Sequence, residues 1–354
     1  VVFLRNGTKR THTQGGNRMA ATIKDISQKA QVSIATVSKV LNGDYNKVST
    51  ETKERILKVA DELDYRPNLL ARNLVRKKST IIGLIVPDIS NPFFAEMCRG
   101  TTDEALRFSY TPMIANSDRM ASREISSIQT MAEYNVGGIV LNSEASHVEE
   151  SLSLLKRYRI PYVFTGHYKE GMQYCVYVDD YSGSYRITEH MIRRGHKQIA
   201  YISGSNAENG QADKRLLGFR AAMQDHGLHV DPFLIEYGSY TLDSGYSKTM
   251  HLLSRGIPFT AIACGNDLIA LGAFKAIRER KLRVPQDISL AGYDDVYLST
   301  LVEPRMTTIR QPAYEIGVCA MQMLLARIEK QPLETNVRRF DPLLIERDTV
   351  SFRA

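Results

Sequence analysis

The chain has 354 residues, a length that fits two or three domains better than one. Hydrophobic residues make up 43% of it and charged residues 24%, the balance of a globular protein with a buried core, and no apolar run is long enough to predict a membrane span. The formal net charge is +7. The four cysteines are dispersed and predict neither a disulfide framework nor a zinc site; they are Cys98, Cys175, Cys264 and Cys319.

The positive charge is concentrated near the beginning of the chain. Residues 1–19 hold four basic and no acidic side chains, and residues 20–78 hold 12 basic and 7 acidic ones. Residues 79–354 hold 30 basic and 32 acidic side chains. A basic segment joined to a near-neutral body favours a polyanionic partner, because phosphate contacts release bound counterions. Residues 1–19 are rich in Gly, Thr and Asn and poor in apolar residues, which predicts a disordered tail and a cytoplasmic location.

Three short helical patterns follow the tail. In the first, Ile23, Ile26 and Ala30 recur at the spacing of one helix face. Gln31-Val32-Ser33 then predicts a tight turn, and the Ser33 hydroxyl is placed to cap the next helix.

The second pattern, I-A-T-V-S-K-V-L-N-G, predicts a helix that buries Val37, Val40 and Leu41. Gly43 is expected to end it by taking a left-handed conformation. A third helix is predicted to start near Ser49, with a buried stripe at Ile56, Val59, Ala60 and Leu63.

Two short helices joined by a three-residue turn in a basic segment indicate a helix-turn-helix. That motif places the start of its second helix in the major groove, where Ile34, Ala35 and Lys39 would face the bases. Lys39 can donate to guanine, and Ile34 or Ala35 can contact a thymine methyl group. The spacing alone is also compatible with another small three-helix bundle.

Several motifs resemble the lactose repressor/galactose repressor family. The first is A-T-I-K-D-I-S-Q-K-A-Q-V-S-I-A-T-V-S-K-V-L-N-G, followed by Y-R-P-N-L-L-A-R-N-L and I-I-G-L-I-V-P-D-I-S-N-P-F-F. Further along come R-G-H-K-Q-I-A-Y-I-S-G, A-C-G-N-D, L-A-G-Y-D-D and T-T-I-R-Q-P, so the resemblance covers residues 21–347. The family normally has glycine where Gln31 stands, a departure that fits the turn if Gln31 has a right-handed backbone.

The resemblance implies a hinge after Pro67, where a short segment becomes helical on DNA and a leucine wedges into the minor groove. Leu74 holds that position, although a plain linker over residues 68–78 is the alternative. It also implies a set of DNA-contacting residues, namely Thr22, Ser33, Ile34, Ala35, Thr36, Ser38, Lys39 and Asn42 in the head and Asn68, Ala71 and Leu74 in the hinge.

The body alternates apolar runs with helical stretches from residue 80 onward, which predicts parallel sheets covered on both faces. Strands are predicted at 81–86, 138–141, 162–164, 175–178, 199–202, 234–237, 261–264, 288–292 and 307–309. The expected α/β architecture is a helix-turn-helix head (20–66), a hinge helix and linker (67–78) and a two-lobed core like a type I periplasmic binding protein (79–354). The first lobe is expected over 79–179 and 313–337, and the second over 180–310 and 338–350.

Ligands of such sheets bind beyond the carboxyl ends of the strands, so the polar residues found there are candidate contacts. Amides, a carboxylate and an arginine suit vicinal hydroxyl groups, and aromatic rings can stack on a sugar's apolar face. The predicted ligand-binding set is Asn91, Phe93, Phe94, Asn209, Arg215, Tyr240, Asn266, Asp294 and Gln311, with Gln211 nearby. Helix capping is the alternative for Asn91, core packing for Phe94, and a solvated cap for Asp267 and Asp295.

One departure from the family concerns the segment that begins I-P. Related sugar binders carry an acid followed by arginine where this chain has Gly166 and His167, so no particular pentose or hexose is indicated.

The α/β pattern is compatible with three classes of function: an enzyme, a sugar-binding receptor and a transcriptional regulator. An enzyme is disfavoured because G-x-G-x-x-G after the first strand, G-x-x-x-x-G-K, H-E-x-x-H and G-x-S-x-G are all missing from the sequence. A sugar-binding receptor is disfavoured by the basic head. The expected function is therefore a sequence-specific transcriptional repressor of a carbohydrate-use operon. It is expected to bind a pseudo-palindromic operator at the nucleoid as a homodimer or higher oligomer. The expected effector is a sugar-like molecule, and neither a cofactor nor a membrane is expected to take part.

Overall fold

The computed structural model describes residues 21–65, 79–143, 148–204 and 213–353. The chain divides into two compact units between Lys78 and Ser79. The predicted tail (1–19) and the predicted hinge contacts Asn68, Ala71 and Leu74 lie outside the described residues.

The head consists of helices α1 (Ile23–Ala30), α2 (Ile34–Leu41) and α3 (Thr50–Glu62). Its small core is made of the predicted stripes, and it confirms the three helical patterns. The buried members are Ile26, Ala30, Val37, Val40, Ile56, Val59 and Ala60.

Each predicted helix boundary of the head has a cap. The Ser33 hydroxyl accepts the Thr36 amide at 3.1 Å, as expected. After α2, Gly43 has φ +78°, its amide donates to the Val40 carbonyl, and the following amide donates to the Lys39 carbonyl. This is the hydrogen-bond pattern of a Schellman motif, and it confirms that Gly43 ends the helix.

The expectation for Gln31 is wrong. Gln31 lies in the left-handed region, with φ 54° and ψ 45°, and its amide donates to the Ser27 and Gln28 carbonyls. The turn therefore needs a left-handed residue at position 31. The family's usual glycine adopts this conformation without strain, whereas Gln31 adopts it despite its Cβ atom. The left-handed region costs an L-residue about 1–2 kcal/mol.

The core begins with a six-stranded parallel sheet in the order β2-β1-β3-β4-β5-β11. These strands are β1 (Ile81–Val86), β2 (Thr111–Asn116), β3 (Ile139–Ser143), β4 (Tyr162–Gly166), β5 (Cys175–Val178) and β11 (Val337–Phe340). Helices cover both faces: α4 (Pro92–Arg107) and α11 (Ala313–Ile328) on one, α5 (Ala121–Glu133) and α6 (Val148–Tyr158) on the other.

Strand β1 shows why this sheet is buried on both sides. Ile82, Leu84 and Val86 join the core under α4 and α11, while Ile85 joins the core on the opposite face. Gly100 lets α4 approach α11 closely, because a Cβ atom there would overlap the Tyr314 carbonyl oxygen.

The second lobe has a four-stranded parallel sheet in the order β7-β6-β8-β9, and β10 pairs with β12 in antiparallel fashion. These strands are β6 (Ile199–Ser203), β7 (Ile235–Tyr237), β8 (Ala261–Cys264), β9 (Ser289–Ala291), β10 (Thr308–Arg310) and β12 (Leu343–Ile345). Helices α7 (Asp180–Arg193) and α8 (Lys214–Asp225) cover one face, and α9 (Leu242–Ser254) and α10 (Asp267–Glu279) cover the other.

The chain crosses between the lobes three times: between β5 and α7, between β10 and α11, and between β11 and β12. The last crossing lies later than expected, since residues 338–340 pair with β5 in the first lobe and do not belong to the second.

Strands β2, β11 and β12 were not predicted. They are edge or two-stranded elements whose side chains are exposed or only partly buried, so they lack the continuous burial of the other strands.

Candidate functional site

A cleft opens between the two lobes of the core, at the carboxyl ends of the parallel strands. It brings together every described member of the predicted ligand-binding set, although these residues are spread over more than 200 positions of sequence. They are Asn91, Phe93, Phe94, Arg215, Tyr240, Asn266, Asp294 and Gln311. Asn209 and Gln211 lie outside the described residues.

Arg215 is the best-connected side chain of the cleft. It stands in the first turn of α8, and its Nε donates to Asp180 Oδ1 at 2.9 Å. One terminal nitrogen donates to the Gly265 carbonyl at 2.6 Å and to Asp294 Oδ1 at 3.5 Å. Burial alone would lower the pKa of Arg215, but the carboxylates of Asp180 and Asp294 outweigh it and raise that pKa well above its ordinary value. The guanidinium is thus fixed and charged.

Asp294 is buried beside Arg215, and the Gln311 side-chain amide donates to its Oδ1 at 2.6 Å. Burial raises the pKa of Asp294 from 3.8 to about 6, while Arg215 and Gln311 oppose that rise. Its backbone has φ +114°, a conformation that L-residues rarely adopt. Such backbones cost about 1–3 kcal/mol and are concentrated at functional sites.

Asn91 and Asn266 cap helices and line the cleft at the same time. Asn91 Oδ1 accepts the Phe93 amide at 3.0 Å, and Asn266 Oδ1 accepts the Ile269 amide at 2.9 Å. The capping alternative for Asn91 is therefore borne out without removing it from the cleft. In both residues the cap uses the amide oxygen, so the NH₂ group is the donor that remains for a ligand.

The first lobe supplies the apolar part of the lining. Phe93 and Phe94 from α4 meet edge to face, with 5.2 Å between ring centroids, and Met97 and Ile316 lie beside them. Phe94 belongs to the core of the first lobe as well as to the cleft. Across the cleft, polar groups of the second lobe face this apolar wall, an arrangement that suits a ligand with one apolar face and one hydroxylated edge.

Some of the lining was not predicted. Arg119, between β2 and α5, places its guanidinium 4.5 Å from the centre of the Tyr240 ring of the other lobe. The other polar members are Asn142, Ser143, Thr165, Tyr177 and Asp180. The strand-end rule could have found most of them, because they follow or end β3, β4 and β5.

Asp267 and Asp295 are not solvated caps as the sequence suggested. Asp267 has no exposed surface, and it accepts the Thr308 hydroxyl at 2.6 Å and the Val296 amide at 2.8 Å. Burial raises the pKa of Asp267 well above its ordinary value. Asp295 instead pairs with Arg347 at 2.6 Å. Both carboxylates fix the loops that carry Asn266, Asp294 and Gln311.

The head presents a second candidate site on the outer face of α2. Ile34 is 52% exposed, and Ala35 and Lys39 are also exposed, opposite the buried Val37 and Val40. This agrees with the spacing argument for base contact.

The remaining predicted DNA contacts of the head have roles in local structure. Thr22 forms a capping box with Asp25, Ser33 and Thr36 share the cap of α2, and Asn42 donates to the Ser38 carbonyl at 2.8 Å.

Within the described part of the chain, His, Cys, Asp and Glu side chains form no group that could hold a metal ion, and none of the helices combines the length and the apolar character of a membrane span. The cysteines are free thiols; burial raises the pKa of Cys98 to about 11 and that of Cys175 to about 12.

Two family descriptions match this sequence. Residues 22–68 match the family described as bacterial regulatory proteins, lacI family, and residues 188–350 match a periplasmic binding protein-like domain.

Relatives match over nearly the whole chain. Catabolite control protein A of Priestia megaterium is 37% identical, covering 90% of this chain and 96% of its own. The HTH-type transcriptional regulator RegA of Clostridium saccharobutylicum is 35% identical, covering 94% and 99%.

Solved structures agree with the fold. The lac repressor dimer bound to operator and the anti-inducer ONPF matches with a TM-score of 0.83 and 26% identity, covering 94% of this chain and all of the other. A complex of the transcriptional regulator CelR with cellobiose matches with a TM-score of 0.68 and 27% identity, covering 93% and 99%.

Proposed function

This chain belongs to the lacI family of bacterial regulatory proteins, and from that premise we propose that it represses carbohydrate-use genes with an operator affinity set by a sugar-like effector. It is a DNA-binding transcriptional regulator, as its relatives are named, and not an enzyme. We further propose that it acts in the cytoplasm, at the nucleoid.

The observation that carries the effector proposal is the convergence of eight separately predicted side chains on one cleft. Its polar side offers a fixed cation at Arg215, a carboxylate at Asp294 and amides at Asn266 and Gln311. Vicinal hydroxyl groups both donate and accept, so they match this mixture better than a purely anionic or purely apolar ligand does. A related structure holds cellobiose, which supports the same class.

DNA binding is proposed to use the exposed face of α2. Ile34 and Ala35 would contact base edges, and Lys39 would donate to guanine. One head reads one half-site, so a homodimer on a pseudo-palindromic operator follows, as in the lac repressor dimer on its operator. Asn68, Ala71 and Leu74 remain hinge predictions by family resemblance.

A ligand in the cleft can change the operator affinity of the head only if it binds two arrangements of the core with different affinities. A ligand that bridges Phe93 of the first lobe and Arg215 of the second favours a closed cleft. The three chain crossings between the lobes would absorb the change in lobe angle. Because such coupling is reciprocal, operator DNA must change ligand affinity by the same factor as the ligand changes operator affinity.

The experiment is a thermal-shift screen of the full chain with neutral sugars, sugar phosphates and nucleosides, followed by an operator-shift assay with the best ligand. A ligand that binds the native state raises the melting temperature. Gln311→Ala should weaken that ligand about tenfold or more, the effect of one lost buried hydrogen bond. Gln286→Ala, at an exposed glutamine of the same lobe, is the matched control. Equal affinities in the two variants would reject the cleft as the effector site.

A further inference from the structure

A second concavity opens on the second lobe and shares no residue with the ligand cleft. It is a groove of about 380 Å³ between the end of α8 and the edge strand β7. Its polar members are Arg220, Gln224 and His229, and its apolar floor includes Leu228, Val230 and Ile235.

The geometry of α8 aims the polar groups into this groove. Arg220 and Gln224 are four residues apart, so they lie one above the other on the same helix face. The opposite face is occupied by α7: Gly218 approaches the Tyr181 carbonyl, and Asp225 accepts the Tyr185 hydroxyl at 3.1 Å. The chain then turns back, and His229 comes to the groove from the connection to β7.

The carboxylates nearest in sequence are used elsewhere. Asp225 is bonded to Tyr185, Asp231 Oδ1 accepts the Phe233 amide, and Glu236 pairs with Lys248, His251 and Arg255. Across the described ranges, 21–65, 79–143, 148–204 and 213–353, the side chains of Arg220 and His229 have no hydrogen bond or ion pair. The groove therefore combines an apolar floor with a guanidinium that no carboxylate of the described residues pairs and an imidazole that has no hydrogen-bond partner among them.

We propose that this groove binds a small organic anion, in which one carboxylate, phosphate or sulfonate group is attached to an apolar or aromatic body. The planar guanidinium of Arg220 matches two oxygens of such a group, and Gln224 and His229 add donors. The floor at Leu228, Val230 and Ile235 takes the apolar body, and the groove's volume is within the range of small-molecule sites. The proposal is independent of the effector cleft.

The probe is 8-anilinonaphthalene-1-sulfonate, which carries one sulfonate on aromatic rings. The chain contains no tryptophan, so Phe233→Trp places a single indole emitter at a 65% exposed side chain next to Pro232 of the groove. Titration of this full-length variant should quench the indole emission saturably. Adding Arg220→Gln should raise the dissociation constant about tenfold, since a hydrogen bond to a charged group is lost.

Arg280→Gln, at an exposed arginine on the same lobe, is the control for a general loss of charge, and it should leave the dissociation constant unchanged. Gln311→Ala should leave it unchanged too, because that residue lies in the ligand cleft. The proposal is overturned by an absence of saturable quenching. It is equally overturned if Arg220→Gln binds like the parent, or if Arg280→Gln weakens binding as much as Arg220→Gln does.

Discussion

The Nε2 group of Gln311 donates to Oδ1 of Asp294 across 2.6 Å, and this bond joins the end of one strand to the loop after another. This bond and the more distant Arg215 guanidinium take the place of the water molecules that would solvate a surface carboxylate. They compensate for burial only in part, because the pKa of Asp294 remains raised to about 6. The cleft thus holds a carboxylate whose charge the protein compensates only in part.

Asp294→Asn should stabilise the protein at pH 7.5. A carboxyl group whose pKa is raised on folding lowers the free energy of unfolding above pH 6 and has no such effect below its ordinary pKa of 3.8. The rise in pKa from 3.8 to about 6 corresponds to a gain on the order of 3 kcal/mol, partly offset because Arg215 loses one partner. Urea unfolding at pH 7.5, 5 and 4 should show the gain shrinking as the pH falls.

Asparagine still accepts from Gln311 but carries no charge, so the same variant should lose ligand affinity. A gain that is constant from pH 4 to 7.5 would contradict the role given to the Asp294 charge.

Arg215→Ala should be strongly destabilising in the absence of any ligand. It leaves Asp180 and Asp294 buried without their cation, and breaking a buried pair from one side costs about 3–5 kcal/mol. The free energy of unfolding should therefore fall by about that amount.

Arg310→Ala is the matched control for Arg215→Ala. Arg310 is 51% exposed, and its partner Asp295 keeps Arg347, so the loss should be below about 1 kcal/mol. Equal losses in the two variants would show that Arg215 is not the cation that holds the cleft.

Gln31→Gly should stabilise the head. Relief of the left-handed strain exceeds the entropy that glycine adds to the unfolded chain, which leaves a net gain of about 0.5–1 kcal/mol. Amide exchange in α1 and α2 of the full chain should slow about threefold. Gln28→Gly, within the right-handed part of α1, should instead speed exchange. Faster exchange in Gln31→Gly would contradict the left-handed turn.

Replacing Ile34 and Ala35 together should change the preferred half-site without changing ligand affinity. Both side chains are exposed at the start of α2, so their replacement would remove the proposed base contacts but no core packing. A randomised-site selection measures the preference. Leu57→Thr, at a 41% exposed leucine of α3, should return the parent's consensus. The same consensus from the double variant would place base reading elsewhere.

The sequence by itself determined the periodic elements of this protein. The stripes of α1, α2 and α3 and the buried strands such as β1 follow from local apolar spacing. The strand-end rule and the family motifs also identified eight of the residues that line the cleft. These features can be read locally because each depends on which side of one element is buried, and hydrophobic spacing records that directly.

Tertiary structure alone decided which groups the polar side chains contact and in which direction the pKa of each buried carboxyl group is shifted. No spacing shows that Asp267 is buried against Thr308, or that Arg215 lies between Asp180 and Asp294. Strand β11 shows the same limit, since V-R-R-F becomes a strand only by pairing with β5. These contacts join residues 35 to 162 positions apart, and burial by distant elements sets the pKa of a carboxyl group or completes an edge strand. Local sequence therefore determined where the polar groups are, and only the packing of the lobes determined what each of them meets.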